Sequence, residues 1–304
     1  METELRKLSQ AELRQIREWL DAVIEDNLEF TPEFEESIRR AERAKTNMIA
    51  TLNQFVRLFC VFLVSVFVSW PMDASSAPKI VVIDPGHGGA ADAGSDSAKT
   101  KSTNNNATSA TLHLKEKDLA LTLSKLIAER IDKSEAAAQG KIKAVLTRRD
   151  DSNIDFAKRA GVAAQANGNC YVAIHFNSDD SQRVSGPRAV IQQRSRNSNY
   201  DADERFARAL ARAVEKVSKT FRSQTPAALV HDDHELHNGW GSYLFHQLSL
   251  DPKTKLIPSC HLEVEFLDNR DLEHLFFVDR KEEIFAAWAS AIANELIHQT
   301  LITE

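Results

Sequence analysis

Cysteine is scarce in this chain of 304 residues: there are three, too few for a disulfide scaffold or a cysteine-rich zinc module. Any metal site must therefore draw on histidine and carboxylate. A strong excess of one charge is also lacking. The formal charge is −6, with 38 Lys and Arg against 44 Asp and Glu, so the overall balance draws the chain neither to nucleic acid nor to an anionic membrane. Long hydrophobic runs are few. The most apolar one, LFCVFLVSVFVSW at residues 58–70, is short of the roughly 20 residues a membrane-spanning helix needs. What is present is ordinary for a soluble globular protein, 42% hydrophobic and 27% charged residues, with length for one large domain plus extra segments.

Residues 1–47 are dense in charge. LSQAELRQIREWLDAVIEDNLEF and TPEFEESIRRAERA read as amphipathic helices, with Leu13, Ile16, Leu20, Val23 and Ile24 at helical spacing. Thr31 is placed to cap the second, with Pro32 at its first position. The apolar run that follows suits the core of a signal peptide. Arg57 precedes it, and Ser75 and Ala77 follow at the spacing a signal peptidase prefers. A buried helix is the alternative, but the run has no charged face to present to water. Met48 stands where a start codon would be needed. Translation from Met48 with cleavage before Pro78 is one expectation; a signal anchor that leaves the charged helices in the cytoplasm and ties the chain to the membrane is the other. The expected organisation is a charged helical extension at 1–47, a signal peptide or signal anchor at 48–77 and one folded domain at 78–304.

From Lys79 onward strands and helices alternate. KIVVID, KAVLTR, YVAIHF, RAVIQQ and HLEVEF are short, β-branched and largely apolar, as in a sheet covered on both faces. Leu119, Leu123, Leu126, Ile127 and Ile131 line one helical face; Phe206, Leu210 and Val214 line a second; Ile284, Trp288, Ile292 and Leu296 line a third. This pattern predicts an α/β fold, a mostly parallel twisted sheet flanked by helices. Residues 95–111, rich in Ser, Thr, Asn and Lys, read as a long surface loop.

Chemistry concentrates at strand ends. His87 follows the first strand in VVIDPGHGG, and His175 lies near the end of YVAIHFNS. Ligands of open α/β sheets bind in the crevice at such ends. Glu116 opens the helix of LKEKDLALTL. It suits the helix N-terminus on its own, but two histidines nearby allow a His₂Glu set, a known catalytic zinc composition that leaves a fourth position open for water. His113, three residues upstream, competes with it. In HLEVEFLDN, alternation puts Leu262, Val264 and Phe266 on one face and His261, Glu263 and Glu265 on the other. That polar face either looks into a cleft, with one carboxylate as general base, or is solvated.

In order, DPGHGG, EKD opening a helix, a strand ending IHFN and a glutamate strand ending FLDN resemble the zinc-dependent N-acetylmuramoyl-L-alanine amidases of the amidase_3 type. LTRRDD and DFAKRAGVAAQAN resemble that family's TR-x-x-D element and the Arg-containing helix after it. The likeness runs from Ile80 to near the C-terminus. It implies a Zn²⁺ ion held by His87, Glu116 and His175, with Glu263 as catalytic glutamate. It implies hydrolysis of the amide between N-acetylmuramic acid and L-alanine in peptidoglycan, in the periplasm or elsewhere outside the cytoplasm. Glu265 stands where the family pattern has glycine; a second carboxylate there would raise the pKa of Glu263 or point to solvent. Asn177 would orient His175, bind substrate or simply end the strand. Some relatives carry a helix that blocks the metal; the stretch from Asp203 to Lys219 reads instead as one helix of ordinary length.

Two features fall outside the resemblance. In HDDHELHNGW, His231, His234 and His237 recur every three residues, which suits a second metal site, a pH-sensitive lid, substrate binding or a solvated polar loop. Cys170 and Cys260 each precede a chemistry-bearing strand, as a disulfide pair or as two buried thiols.

Overall fold

The structure, a computed structural model, describes residues 77–89 and 106–302. The expected helices of residues 1–47, the apolar run 58–70 and most of the polar loop 95–111 lie outside the described residues. Among the described residues no helix is long and apolar enough to cross a membrane.

The elements run β1 (Lys79–Pro85), α1 (Glu116–Asp132), α2 (Glu135–Ala138), β2 (Ile142–Leu146), α3 (Phe156–Ala166), β3 (Cys170–Asn177), β4 (Arg188–Ile191), α4 (Tyr200–Phe221), β5 (Leu229–Asp232), α5 (Tyr243–Leu250), β6 (Ser259–Phe266) and α6 (Lys281–Ile302). Their ends carry local signals. Glu116 and Asp118 occupy the first turn of α1 and Arg130 its last, in the sense that favours the helix dipole. Asp155 caps α3 by accepting from the Lys158 N–H at 2.7 Å, and Asn167 ends it in the left-handed conformation.

The six strands form one sheet in the order β2-β1-β3-β6-β4-β5. β2, β1, β3 and β6 are mutually parallel, β4 is antiparallel to β6, and β5 is parallel to β4. The mostly parallel α/β sheet read from the sequence is therefore present. β5 and α5 were not expected; they lie in and beside the polar stretch HDDHELHNGW, for which a solvated loop was one of the readings. In β1 and β3 alternate residues serve two cores. Val81, Ile83, Val172, Ile174 and Phe176 join the larger one with residues of α1, α4 and α6. Val82, Tyr171 and Ala173 join the smaller one with residues of α3 and α5. Because β1, β3 and β6 run the same way, their C-terminal ends meet at one edge, where the crevice of an open sheet forms.

Candidate metal centre

The loop after β1 is built for close approach. A Cβ on Gly86 would stand 2.5 Å from Cε1 of His175, so only glycine lets the backbone pass this ring. His87 itself has φ 56°, a left-handed conformation that costs a non-glycine residue about 1 kcal/mol or more. Two buried arginines hold it there. Arg148 donates from Nε to the Pro85 carbonyl at 2.9 Å and from Nη2 to the Gly86 carbonyl at 2.7 Å. Arg159 donates from Nη1 to Pro85 at 2.9 Å and from Nη2 to the His87 carbonyl at 2.5 Å. Arg159 is also paired with the buried Asp84 at 2.6 Å, and Thr147 Oγ1 donates to the same carboxylate. These are the arginines of LTRRDD and DFAKRAGVAAQAN, to which the sequence alone assigned no task. Burial, with Arg159 alongside, lowers Arg148 to about 10, which leaves it charged at neutral pH.

Three side chains converge on this loop. Glu116 Oε2 lies 3.0 Å from His87 Nε2, and Oε1 lies 2.8 Å from His175 Nδ1. The same carboxylate accepts from the Ala107 N–H at 2.9 Å and the Phe176 N–H at 3.1 Å. Burial alone would raise its pKa, but the electrostatic interaction with His87 and the hydrogen bonds to both imidazoles outweigh it and hold Glu116 well below the usual carboxylate range. The ligand atoms of His87, Glu116 and His175 all lie within 4.8 Å of one another, and no other such group of His, Cys, Asp or Glu occurs among the described residues. Tetrahedral ligands at about 2.1 Å from a zinc ion stand about 3.4 Å apart, so this donor set fits a divalent metal. His113, exposed and at φ 53°, is not part of the group.

Glu263 stands beside the cluster. It is the direct register partner of His175 on the neighbouring strand, and both line one cleft with Asn177, His261, Phe156 and Tyr243. Burial first, and the Glu116 carboxylate second, push Glu263 up to about 8; a bound cation counteracts both. Its Oε2 is enclosed without a hydrogen-bond partner, the condition expected of a carboxylate aimed at a metal-site water. Asn177 Oδ1 accepts from the Ser178 N–H at 2.8 Å, so it shapes the strand-end turn as well as lining the cleft.

His261 is the cleft residue that the sequence placed correctly but gave no role. Its ring stacks on His175 at 5.1 Å and packs against Phe245 at 4.4 Å. Burial, with the neighbouring His175 and His87 next, lowers its pKa well below the usual histidine value. Glu265 differs from the expectation of simple alternation. Between His175 and Asn177 of β3, β6 carries one extra residue, and such a bulge resets which face each side chain takes. Phe266 comes beneath the Arg188 guanidinium, 4.8 Å from its ring centroid. Glu265 accepts from the Gly186 and Phe266 N–H groups at 2.5 and 2.9 Å and does not line the cleft with Glu263. Burial raises its pKa to about 7.

The polar stretch divides. His231 and Asp232 belong to β5, and His234 is exposed with Nδ1 on the Asp232 carboxylate. The side chain of His237 lies outside the described residues. Cys170 and Cys260 are buried and free, so the two-thiol alternative holds and the disulfide does not. Cys170 Sγ instead lies 3.3 Å from Thr300 Oγ1.

The family model for N-acetylmuramoyl-L-alanine amidases, Amidase_3, matches residues 81–294. Solved structures share the fold at low identity. The catalytic domain of CwlV, an N-acetylmuramoyl-L-alanine amidase from Bacillus (Paenibacillus) polymyxa var. colistinus, is 22% identical with a TM-score of 0.51, over 74% of this chain and 99% of that one. An N-acetylmuramoyl-L-alanine amidase from Clostridium difficile 630 is 19% identical with a TM-score of 0.53, over 75% of this chain and 100% of that one. Ami1 from Mycobacterium abscessus, an N-acetylmuramyl-L-alanine amidase in its apo form, is 16% identical with a TM-score of 0.52, over 74% of this chain and 99% of that one. No curated protein matches. With its metal-binding cluster at the sheet edge and the family match over most of its length, this chain belongs to the metal-dependent N-acetylmuramoyl-L-alanine amidase family of cell-wall hydrolases.

Proposed function

We propose that the chain is a zinc amidase that strips peptide stems from peptidoglycan, with His87, Glu116 and His175 as metal ligands and Glu263 as the proton carrier. The observation that supports this reading is the convergence of two imidazoles and one carboxylate beside a buried glutamate. Zinc, when bound, supplies Lewis acidity that polarises the scissile carbonyl and acidifies the attacking water. Glu263 takes the proton of that water and returns it to the departing L-alanine nitrogen. Its Oε2, enclosed without a hydrogen-bond partner, is the oxygen placed to take that proton. Glu116 and the Gly86–Gly88 backbone fix both imidazoles before substrate arrives, which lowers the reorganisation needed at the reaction itself.

The substrate lies outside the cytoplasm, so export through residues 48–77 belongs to the same proposal, with residues 1–47 as an extension ahead of it. Digestion of purified sacculi followed by muropeptide analysis tests the activity. Free stem peptides are expected, abolished by a chelator and restored by zinc. Binding to sacculi without release would instead favour a wall-binding module.

A further inference from the structure

A row of aromatic rings leads out of the cleft. Phe156 and Tyr243, the first residues of α3 and α5, both line it, with ring centroids 6.3 Å apart at 24°. Trp240 continues the row 6.1 Å from Tyr243 and is 47% exposed. Its orientation is fixed. The Arg196 guanidinium lies 4.9 Å from the ring centroid, Arg196 Nη1 donates to the Trp240 carbonyl, and His246 packs beside it at 5.6 Å. Leu236, also exposed, lines the same rim.

A half-exposed indole forgoes part of its hydrophobic burial, and here several side chains hold it at the surface. Rigid rings with large area and few rotatable bonds suit recognition, because little entropy is lost when a partner covers them. A pyranose ring is a matching partner: its axial C–H groups form an apolar face, and its hydroxyl and acetamido groups form a polar rim. Here that rim would meet Arg196 and His246.

We propose that Phe156, Tyr243 and Trp240 form a saccharide subsite for an N-acetylated amino sugar of the glycan strand, beyond the muramic acid whose amide is cut. This rests on the amidase reading, which makes the substrate a polymer that must leave the cleft along some surface. Trp240 is the outer platform, and Tyr243 joins it to the metal centre.

Calorimetric titration of the full chain with peptide-free glycan strands tests this, with free stem peptide as the contrasting probe. The wild-type chain is expected to bind the strands. Trp240→Ala should weaken that binding about tenfold, and Trp240→Phe should keep most of it, with unchanged thermal melting in both. Equal affinity of wild type and Trp240→Ala for the strands overturns the subsite, as does a loss confined to stem peptide. Release of stems from sacculi by a chain that does not bind peptide-free strands overturns the subsite and leaves the amidase reading intact. Trp240-dependent binding without any release from sacculi overturns the amidase reading and leaves saccharide binding standing.

Discussion

His175 and Glu263 are direct register partners on the parallel strands β3 and β6. Adjacent strands are about 4.8 Å apart, so the pairing sets a candidate metal ligand beside the proposed proton carrier with no loop between them. The spacing of the two residues is therefore set by the register of the sheet.

Glu263→Gln keeps the shape of the side chain and removes its basicity. The expected result is a fall in kcat of about 10²- to 10⁴-fold, with zinc content unchanged in metal analysis of the purified variant. Retention of wild-type kcat would place the base elsewhere.

Glu116→Ala removes the carboxylate that bridges both imidazoles. Zinc at 100 times its Kd should stabilise the wild-type chain by about 2.7 kcal/mol, seen as a rise in Tm. The variant should show little of that rise, and its metal content should drop. The same zinc-induced rise in both chains would remove Glu116 from the ligand set.

Arg159→Leu leaves Asp84 buried without its 2.6 Å partner. A loss of about 3–5 kcal/mol in denaturant unfolding is expected. Adding Asp84→Asn should recover part of it, because the uncompensated charge is then gone. Additive losses in the double variant would argue that Arg159 acts through the loop carbonyls alone.

Glu265 gives a pH signature. Folded, it keeps its proton up to about 7, against an ordinary value of 4.5. Between those values the native state binds the extra proton. The contribution to stability is full below pH 4.5 and is lost as pH rises through 7. Glu265→Gln should flatten the stability profile across this window and be the more stable chain above pH 7, by at most about 3 kcal/mol. Parallel profiles for the two chains would show that Glu265 ionises in the fold as freely as in water.

Much of the site was legible because its residues sit at punctuated positions. Gly86 and Gly88 mark a turn, Glu116 opens a helix, and His175 ends an apolar run. The tasks of Arg148 and Arg159 were not legible, because their partners are backbone carbonyls 62 to 74 residues away. Glu265 was misplaced because period-two alternation assumes an unbroken ladder, and the bulge in β6 breaks it. β5 was missed because LVHD is a four-residue edge strand whose polar residues give no alternation to read.

By itself the sequence determined the α/β alternation, the family pattern and the identity of the candidate ligands, since periodicity and turn chemistry are local properties. Only the tertiary structure decided that His87, Glu116 and His175 meet, that Glu265 leaves the cleft and that Trp240 packs against Tyr243 at its rim. Those outcomes depend on strand order, register and packing between distant segments, which no local pattern encodes.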